Sequence, residues 1–392
     1  MNSLENQTLN NVSLAPCPPT DNYLSELVDK LAETADLTAT ELVALINRRT
    51  PELAEKLFQK ARLIRQSYYD KDVYVRGLIE FTNYCKNDCY YCGIRASNHK
   101  ADRYRLTDEE IVAACQNGHE LGFRTFVLQG GEDPHFTPEK VEGLVKKIKM
   151  GFPDCAITLS LGEKPREVYE LWLKAGAERY LLRHETYNPS HYGSLHPKSM
   201  SRDNRIRCLY DLKDLGYQVG CGFMVGTPGQ TTERLVEDLL FIKGFNPQMV
   251  GIGPFIPHKD TPLATAPAGS LDLTLFLLGL IRLLAPSVLL PATTALGTIS
   301  PTGREKGILA GANVVMPNLS PVKVRAKYLL YDNKICTGEE AAECRFCLAK
   351  RIASVGHRIV VHRGDCAGFG PTPNAPLIAP EVATEVTPSL GL

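Results

Sequence analysis

The chain has 392 residues, of which 44% are apolar, and it contains 44 Lys or Arg and 44 Asp or Glu residues. This composition suits a large buried core, and the zero formal net charge excludes a general attraction to nucleic acid or to an anionic membrane. Twelve cysteines in a chain of this size indicate metal ligands and reduced thiols, so we expect a soluble protein of the reducing cytoplasm.

The first part of the chain is expected to lie outside the main domain. Residues 1–20 are polar, lack Lys and Arg, and resemble neither a signal peptide nor a transit peptide, so we expect a disordered tail. Residues 21–70 are expected to form a helical N-terminal extension. Within it, Thr38 and Glu41 have the spacing of a capping box at a helix start.

Between residues 71 and 320, short apolar runs alternate with helical segments. Continuous apolar runs are typical of parallel strands that helices cover on both faces. Eight such repeats predict an α/β fold with a (β/α)8 barrel of the TIM type, and a partial barrel or an open sheet is the alternative. The predicted strands are 73–81, 125–129, 156–161, 179–183, 218–225, 249–253, 288–292 and 312–316.

Two segments follow the predicted barrel. Residues 367–392 are rich in Pro, Ala, Thr and Val and are expected to form a flexible tail. Cys366, just before this tail, is expected to lie in a flexible end and to have no role. Residues 321–366 are expected to form a C-terminal segment with three cysteines, Cys336, Cys344 and Cys347. A second iron–sulfur cluster, a zinc site and cysteines without a ligand are all compatible with this spacing.

Another three cysteines follow the first predicted strand at Cys-x3-Cys-x2-Cys spacing, namely Cys85, Cys89 and Cys92. Cluster irons bind cysteine sulfur, and three ligands on a four-iron cluster leave one iron open to a further ligand. A zinc knuckle and three buried cysteines without a metal are the alternatives. With Tyr91 before the last cysteine, the motif resembles the signature of the radical S-adenosylmethionine (SAM) superfamily. That resemblance implies a 4Fe-4S cluster and SAM, which together generate a 5′-deoxyadenosyl radical.

Glycines and a carboxylate follow the second predicted strand. Gly130 and Gly131, directly before Glu132, would let the backbone approach a ligand closely because they lack a Cβ. The resemblance implies that this segment accepts hydrogen bonds from the amino group of SAM, and an ordinary turn is the alternative. Histidines in predicted loops are expected to be solvated: His184, His191, His196 and His258.

Charged and hydroxyl side chains follow later strands. Arg183, Glu185 and Arg205 offer guanidinium and carboxylate groups that suit the carboxylate, sulfonium and ribose groups of SAM. A structural ion pair is the alternative for these residues. Thr293 and Thr294 would place hydroxyls at the barrel mouth, where an anionic or amino-acid-like substrate would bind, or they pack at a strand end.

Several longer runs resemble the HydE family of FeFe-hydrogenase maturases, within the biotin synthase-like radical SAM group. The runs are 128–134, 159–163, 179–186, 224–231, 250–258, 291–295 and 312–318. The resemblance implies a closed barrel with SAM at its mouth and a role in building the 2Fe subcluster of FeFe-hydrogenase. It implies a small organometallic or cysteine-derived substrate, namely a cysteine-bound iron carbonyl cyanide unit. An electron donor and transient contact with the maturases HydG and HydF are implied as well.

The resemblance also implies roles for single positions. Cys85, Cys89 and Cys92 would hold the catalytic cluster, and Thr293 and Thr294 would bind substrate carboxylates. Cys336, Cys344 and Cys347 match the second cluster of the family (2Fe-2S or 4Fe-4S), whose occupancy varies. The residues around SAM would be Tyr91, Gln129, Gly130, Gly131, Glu132, Thr158, Ser160, Arg183, Glu185 and Arg205.

Two other functions stay open at this point. A related radical SAM mutase or synthase, of the methylornithine synthase or biotin synthase type, shares the barrel and the cysteine motif. An iron–sulfur carrier or scaffold without radical chemistry belongs to a different class. The carrier predicts no 5′-deoxyadenosine from SAM and a strong reductant, whereas either enzyme predicts at least slow cleavage of SAM.

Overall fold

The computed structural model describes residues 20–338 and 345–369. The predicted N-terminal tail therefore lies outside the described residues except for Thr20. The predicted C-terminal tail lies outside them from residue 370 onward, and so does Cys344. Every helix in the two described ranges is too short or too polar to cross a bilayer.

Helices and strands alternate along most of the described chain. The helices are α1 Asp21–Thr34, α2 Ala39–Asn47, α3 Pro51–Tyr69, α4 Asp108–Glu120, α5 Pro138–Gly151, α6 Arg166–Ala175, α7 Pro189–Leu195, α8 Arg202–Asp214, α9 Thr232–Phe245, α10 Leu271–Leu284, α11 Thr294–Ile299, α12 Gly303–Leu309, α13 Val322–Arg325 and α14 Arg345–Ala353. The strands are β1 Asp72–Val75, β2 Gly77–Thr82, β3 Thr125–Gly130, β4 Ala156–Ser160, β5 Ala177–Leu181, β6 Gln218–Cys221, β7 Met224–Val225, β8 Met249–Val250, β9 Gly253–Pro254, β10 Val314–Val315 and β11 Arg358–Val360.

The N-terminal helices α1 to α3 have caps that the local sequence specifies. Thr38 Oγ1 accepts a hydrogen bond from the Glu41 amide at 3.3 Å, and the Glu41 carboxylate accepts one from the Thr38 amide at 2.8 Å. The predicted capping box is therefore confirmed. α3 packs against α10, and Gly279 allows this close approach because a Cβ there would lie 2.9 Å from Leu57 Cγ. α10 is apolar around its circumference because it is buried on nearly all sides.

Six strands form one parallel sheet in the order β2-β3-β4-β5-β6-β8. Its register pairs Leu78 with Val127, and Phe126 with Ile157. Both faces of these strands are covered, and every residue of β2 is buried. Burial on both faces explains why the strands appear in the sequence as continuous apolar runs rather than as an alternating pattern. The prediction of an α/β fold with a parallel sheet is therefore confirmed.

Shorter pairings extend beyond the six-stranded sheet. β1 pairs in parallel with β10 and β11, and β7 pairs in parallel with β9. Isolated parallel bridges join Met249 to Leu289 and Pro291 to Val314. The predicted strand 288–292 is therefore reduced to bridges. The predicted strand 73–81 is divided at Arg76, because the residues before it pair with β10 and β11 and those after it pair with β3.

The end of the described chain folds back onto the sheet. Asp365 Oδ1 accepts hydrogen bonds from Arg179 Nη2 at 2.7 Å and from Gln218 Nε2 at 2.6 Å. The next residue, Cys366, is 4% exposed, and its thiol lies 3.1 Å from the carbonyl oxygen of Ser287. The prediction that Cys366 lies in a flexible end is therefore wrong, because these bonds and the pairing of β11 with β1 bury it.

Candidate functional site

The segment after β2, residues 83–98, carries three of the cysteines and is called the cluster loop below. Asp88 braces it, since its carboxylate accepts hydrogen bonds from Arg95 Nε at 2.7 Å and from the Ser97 amide at 3.0 Å. All three cysteines, Cys85, Cys89 and Cys92, are partly buried free thiols. Burial raises the pKa of Cys89 to about 12. Such a thiol becomes a thiolate only when a cation such as iron replaces its proton.

The end of β3 packs tightly against the cluster loop. A Cβ on Gly131 would lie 2.1 Å from the carbonyl oxygen of Tyr84 and 2.8 Å from Cys85 Cβ, so only glycine allows this approach. The carbonyl oxygen of Glu132 accepts a hydrogen bond from the Lys86 amide at 2.9 Å. The Glu132 side chain accepts another from Asn87 Nδ2 at 2.8 Å. The Gly-Gly-Glu segment and the cluster loop therefore form one unit, as a shared ligand site requires.

Arg205 is the centre of a buried polar group near this unit. Its Nη2 lies 2.9 Å from Glu163 Oε1, its Nε donates to Tyr192 Oη at 3.1 Å, and its Nη1 donates to the Arg183 carbonyl oxygen at 3.1 Å. Glu185 Oε2 lies 3.1 Å from Arg183 Nη2. The predicted set of Arg183, Glu185 and Arg205 therefore does lie together. Glu163 and Tyr192 were missed as members of the site, although the place of Glu163 soon after β4 was a usable signal.

The backbone at Glu185 is unusual for a residue with a side chain. Its φ is +66°, in the left-handed region that non-glycine residues rarely adopt. Its amide donates to the carbonyl oxygen of Gly222 at 3.0 Å, which holds this conformation in place. Strain of this kind persists where the surroundings impose it, often at ligand sites.

Two buried hydroxyls lack a hydrogen-bond partner among the described residues. They are Thr158 Oγ1 on β4 and Thr293 Oγ1, which immediately precedes α11. A buried hydroxyl without a partner costs free energy, so both atoms fit a polar ligand. Gln129 Nε2 makes only a long contact with Tyr328 Oη, at 3.4 Å. The donor set of three thiols, two spare hydroxyls and the Arg205 group therefore fits a cluster together with a charged small molecule.

A polar cleft of about 590 Å³ opens to solvent beside the cluster loop. Glu132 and Glu163 line it, and Lys86 and Lys164 bring positive charge to the same walls. Lys164 Nζ lies 3.8 Å from Glu132 Oε2, and Lys86 Nζ lies 3.5 Å from the same oxygen. The negative charge of the buried Glu132 carboxylate thus lies close to the positive charges of two lysines at the edge of the site.

The loop histidines are buried, which contradicts the prediction that they are solvated. His184 Nε2 lies 3.2 Å from Asp238 Oδ1, and His191 Nδ1 lies 3.1 Å from Thr186 Oγ1. The loops at the ends of these strands fold inward, and the histidines satisfy buried polar groups there. The exposed fractions are 0% for His184, 0% for His191, 2% for His196 and 4% for His258.

The described cysteines of the second group are less tightly packed than those of the cluster loop. Cys336 is partly buried, and Arg304 Nη2 lies 3.6 Å from its Sγ. Cys347, on α14, is exposed. The third predicted ligand, Cys344, lies outside the described residues.

The fold and the three-cysteine loop at the end of a parallel strand define a radical SAM protein. A sequence profile of the Radical SAM superfamily matches residues 79–242, which run from within β2 into α9. Membership of that superfamily implies a 4Fe-4S cluster and SAM.

Individual relatives narrow the class to a family. The FeFe hydrogenase maturase subunit HydE of Thermotoga maritima is 48% identical over 334 residues, which cover 85% of this chain and 94% of that protein. The 3-methylornithine synthase of Methanosarcina acetivorans is 31% identical over 312 residues, or 78% of this chain and 87% of that protein. A crystal structure of methylornithine synthase has a TM-score of 0.74 at 28% identity, and the match covers 85% of this chain and 97% of that one. The chain belongs to the HydE family.

Proposed function

We propose that this protein uses a 4Fe-4S cluster and SAM to generate a 5′-deoxyadenosyl radical for assembly of the 2Fe subcluster of FeFe-hydrogenase. The observation that carries the proposal is 48% identity to a hydrogenase maturase across 94% of that protein. The close packing of Gly131 on the cluster loop supports it, because a loop that must leave one iron open needs a rigid frame.

The proposed architecture is a closed (β/α)8 barrel over residues 71–320, with the helical extension 21–70 and the C-terminal segment 321–366 around it. Support comes from the parallel order, which continues from β8 through isolated bridges to β10, and from the pairing of β10 with β1. Closure would place the carboxyl ends of all strands around one mouth. A closed barrel would also help to keep water away from the reacting groups.

Residues of this chain are proposed to hold and orient the bound groups. The cluster and SAM, when bound, supply the adenosyl radical. Cys85, Cys89 and Cys92 would bind three irons, and the fourth iron would stay open for SAM. Arg205 would face the carboxylate of SAM, and Glu185 would face its sulfonium or ribose side, because opposite charges and hydroxyls pair best with these groups. The remaining proposed SAM contacts are Tyr91, Gln129, Gly130, Gly131, Glu132, Thr158, Ser160 and Arg183.

The substrate is proposed to bind through Thr293 and Thr294. The spare hydroxyl of Thr293 and the start of α11 at Thr294 suit a carboxylate, which accepts hydrogen bonds from hydroxyls and amides. A cysteine-bound iron carbonyl cyanide unit carries such a carboxylate. Cys336, Cys344 and Cys347 would hold a second iron–sulfur cluster, 2Fe-2S or 4Fe-4S. HydG and HydF are proposed as transient partners, together with an electron donor.

A methylornithine synthase is the second candidate, because such enzymes match this chain at 31% identity and at a TM-score of 0.74. The two candidates share the cluster loop and the proposed barrel, so they differ in substrate rather than in SAM chemistry. Product analysis separates them.

The test is anaerobic reconstitution with iron and sulfide, followed by incubation with SAM and dithionite. Formation of 5′-deoxyadenosine is expected, and its absence in a cluster-loaded sample would support an iron–sulfur carrier instead. The loaded protein is then added to a hydrogenase maturation mixture that contains HydF and HydG but lacks HydE. Recovery of hydrogenase activity is expected. Methylornithine formation without hydrogenase recovery would favour the second candidate.

A further inference from the structure

The last residue of α7 and the connection from α7 to α8 contact the cluster loop at three adjacent positions. The Tyr90 amide donates to the Leu195 carbonyl oxygen at 2.9 Å. Tyr91 Oη lies 3.1 Å from His196 Nε2, with the two rings edge to face at 5.4 Å. Cys89 Sγ lies 3.7 Å from Met200 Sδ. The loop is therefore supported from outside at the residues that precede its last cysteine.

The direction of the bond between Tyr91 and His196 follows from the other ring nitrogen. His196 Nδ1 lies 3.0 Å from the carbonyl oxygen of Tyr192, which is a spare acceptor at the end of α7. A carbonyl oxygen only accepts, so Nδ1 carries the proton. A neutral imidazole has one N–H, so Nε2 accepts and the Tyr91 hydroxyl donates.

The surroundings of His196 keep it in this neutral form. Its side chain is 2% exposed, and burial, followed by the charge of Arg205, lowers its pKa to about 3. The imidazole stacks on the Tyr192 ring with centroids 4.0 Å apart and planes at 18°. Tyr192 Oη in turn accepts from Arg205 Nε at 3.1 Å. A continuous series of contacts thus joins the cluster loop to the Arg205 group.

We propose that His196 is a positioning residue for the SAM site: it accepts the Tyr91 hydrogen bond and thereby sets the cluster loop relative to Arg205. The inference rests on the proposed function for its SAM part, and on geometry alone for its effect on the loop. His196 would touch neither SAM nor the cluster. It acts through Tyr91 on one side and Tyr192 on the other.

Two amide substitutions separate positioning from simple packing. H196N retains a donor near Nδ1 for the Tyr192 carbonyl oxygen but has nothing at the place of Nε2. H196Q places an amide oxygen near Nε2 and can accept from Tyr91. The proposal predicts that H196Q preserves function and H196N does not, whereas a packing role predicts similar losses. Y91F removes the donor and should reproduce H196N. H99N, at an exposed histidine next to the cluster loop, is the matched control.

The first measurement is hydrogen–deuterium exchange of the cluster-loaded protein without SAM. Peptides spanning residues 84–96 should exchange several-fold faster in H196N and Y91F than in the parent protein, H196Q or H99N. Equal exchange in H196N and H196Q would overturn the positioning role. This arm does not depend on SAM binding.

The second measurement is a SAM titration of the EPR signal of the reduced cluster. One lost hydrogen bond should raise the dissociation constant of SAM about fivefold in H196N and in Y91F, with iron content retained. The double variant Y91F/H196N should be no weaker than either single variant, because both remove the same bond. A multiplicative loss in the double variant would overturn the inference. If the EPR signal of the parent protein does not change when SAM is added, the proposed function is overturned instead.

Discussion

The two groups of cysteines are held in different ways. The cluster loop is supported at the cysteines themselves: Gly131 packs on Cys85, Met200 contacts Cys89, and the Cys92 amide donates to the Cys89 carbonyl oxygen at 3.3 Å. Among the described residues, the C-terminal segment is held mainly through residues other than its cysteines. In its middle, Arg351 pairs with Glu305, and β11 pairs with β1. Lys334 pairs with the buried Glu80 near its start, and Asp365 pairs with the buried Arg179 near its end.

This difference indicates that the proposed chemistry requires rigid cysteines in the cluster loop but not in the C-terminal segment. A site that must leave one iron open to SAM requires three ligands whose positions are set by packing. A segment anchored through other residues can carry cysteines, such as the exposed Cys347, without fixing each of them. The cluster loop should therefore respond to changes at single atoms, and the C-terminal segment should respond mainly to the loss of an anchor.

The largest expected effect is at the cysteines. C89A should abolish 5′-deoxyadenosine formation from SAM and dithionite, because two thiolates do not hold a site-differentiated cluster. C347A should retain most of that activity. Iron content and product yield are measured after identical reconstitution. Equal losses in the two variants would break the comparison, since both groups would then serve SAM cleavage.

The next largest effect, on cluster content, is expected for a substitution of Gly131. G131A would place a Cβ 2.1 Å from the Tyr84 carbonyl oxygen, so the loop or β3 must move and cluster content should fall by more than half. G143A, on the exposed face of α5 with nothing within 4 Å of the added atom, is the control. It should keep full cluster content and gain about 0.5–1 kcal/mol of stability, as alanine does in helices. Normal iron loading of G131A would show that the loop tolerates displacement.

The anchor at the end of the C-terminal segment should contribute strongly to stability. D365N leaves the fully buried Arg179 without its carboxylate, and the free energy of unfolding should fall by about 3 kcal/mol at pH 7. Burial alone would raise the pKa of Asp365, but the Arg179 and Arg363 guanidinium groups outweigh burial and lower it. The stabilisation is therefore present above the unfolded-state pKa of about 3.9 and is lost as pH falls through the lower folded-state pKa.

Denaturant unfolding between pH 3 and 7 measures this anchor. The deficit of D365N should shrink toward pH 3. D203N is the control, because Asp203 forms its ion pair with Arg202 at an 82% exposed site and should cost less than about 0.5 kcal/mol. A pH-independent deficit in D365N would mean that packing, and not the charge of Asp365, anchors the segment.

The anchor near the start of the C-terminal segment, the Lys334–Glu80 pair, should contribute less to the free energy of unfolding, and its contribution should depend on pH. Burial raises the pKa of Glu80, and Lys334 opposes the rise. In K334M the folded-state pKa of Glu80 rises further, so folded protein keeps a proton that unfolded chain releases above about pH 4.3. Stability should therefore match the parent most closely near pH 5 and fall by about 2 kcal/mol near pH 8.

Adding E80Q to K334M should remove this pH dependence, because no titrating group is left in the pair. K323M, at an exposed lysine paired with Glu110, is the control and should change stability little at either pH. Thermal unfolding at pH 5, 6.5 and 8 gives the comparison. A flat profile for K334M would show that Glu80 stays charged in the folded protein without its lysine.

Much of the candidate site could be proposed from sequence because its signals are local. The spacing of Cys85, Cys89 and Cys92, the glycine pair before Glu132 and the capping box at Thr38 each lie within a few residues of sequence. Each of these signals can be recognised from local spacing alone. The parallel α/β fold was also predictable, since burial on both faces makes its strands continuous apolar runs.

Only the tertiary structure decided which distant residues meet. The contacts of Arg205 with Glu163 and Tyr192, the burial of His196 against Tyr91, and the return of Cys366 to the sheet join residues far apart in the chain. A loop histidine or a terminal cysteine looks the same in sequence whether it is solvated or buried. Its environment is set by how loops fold over strand ends, and that depends on long-range packing that no local pattern encodes.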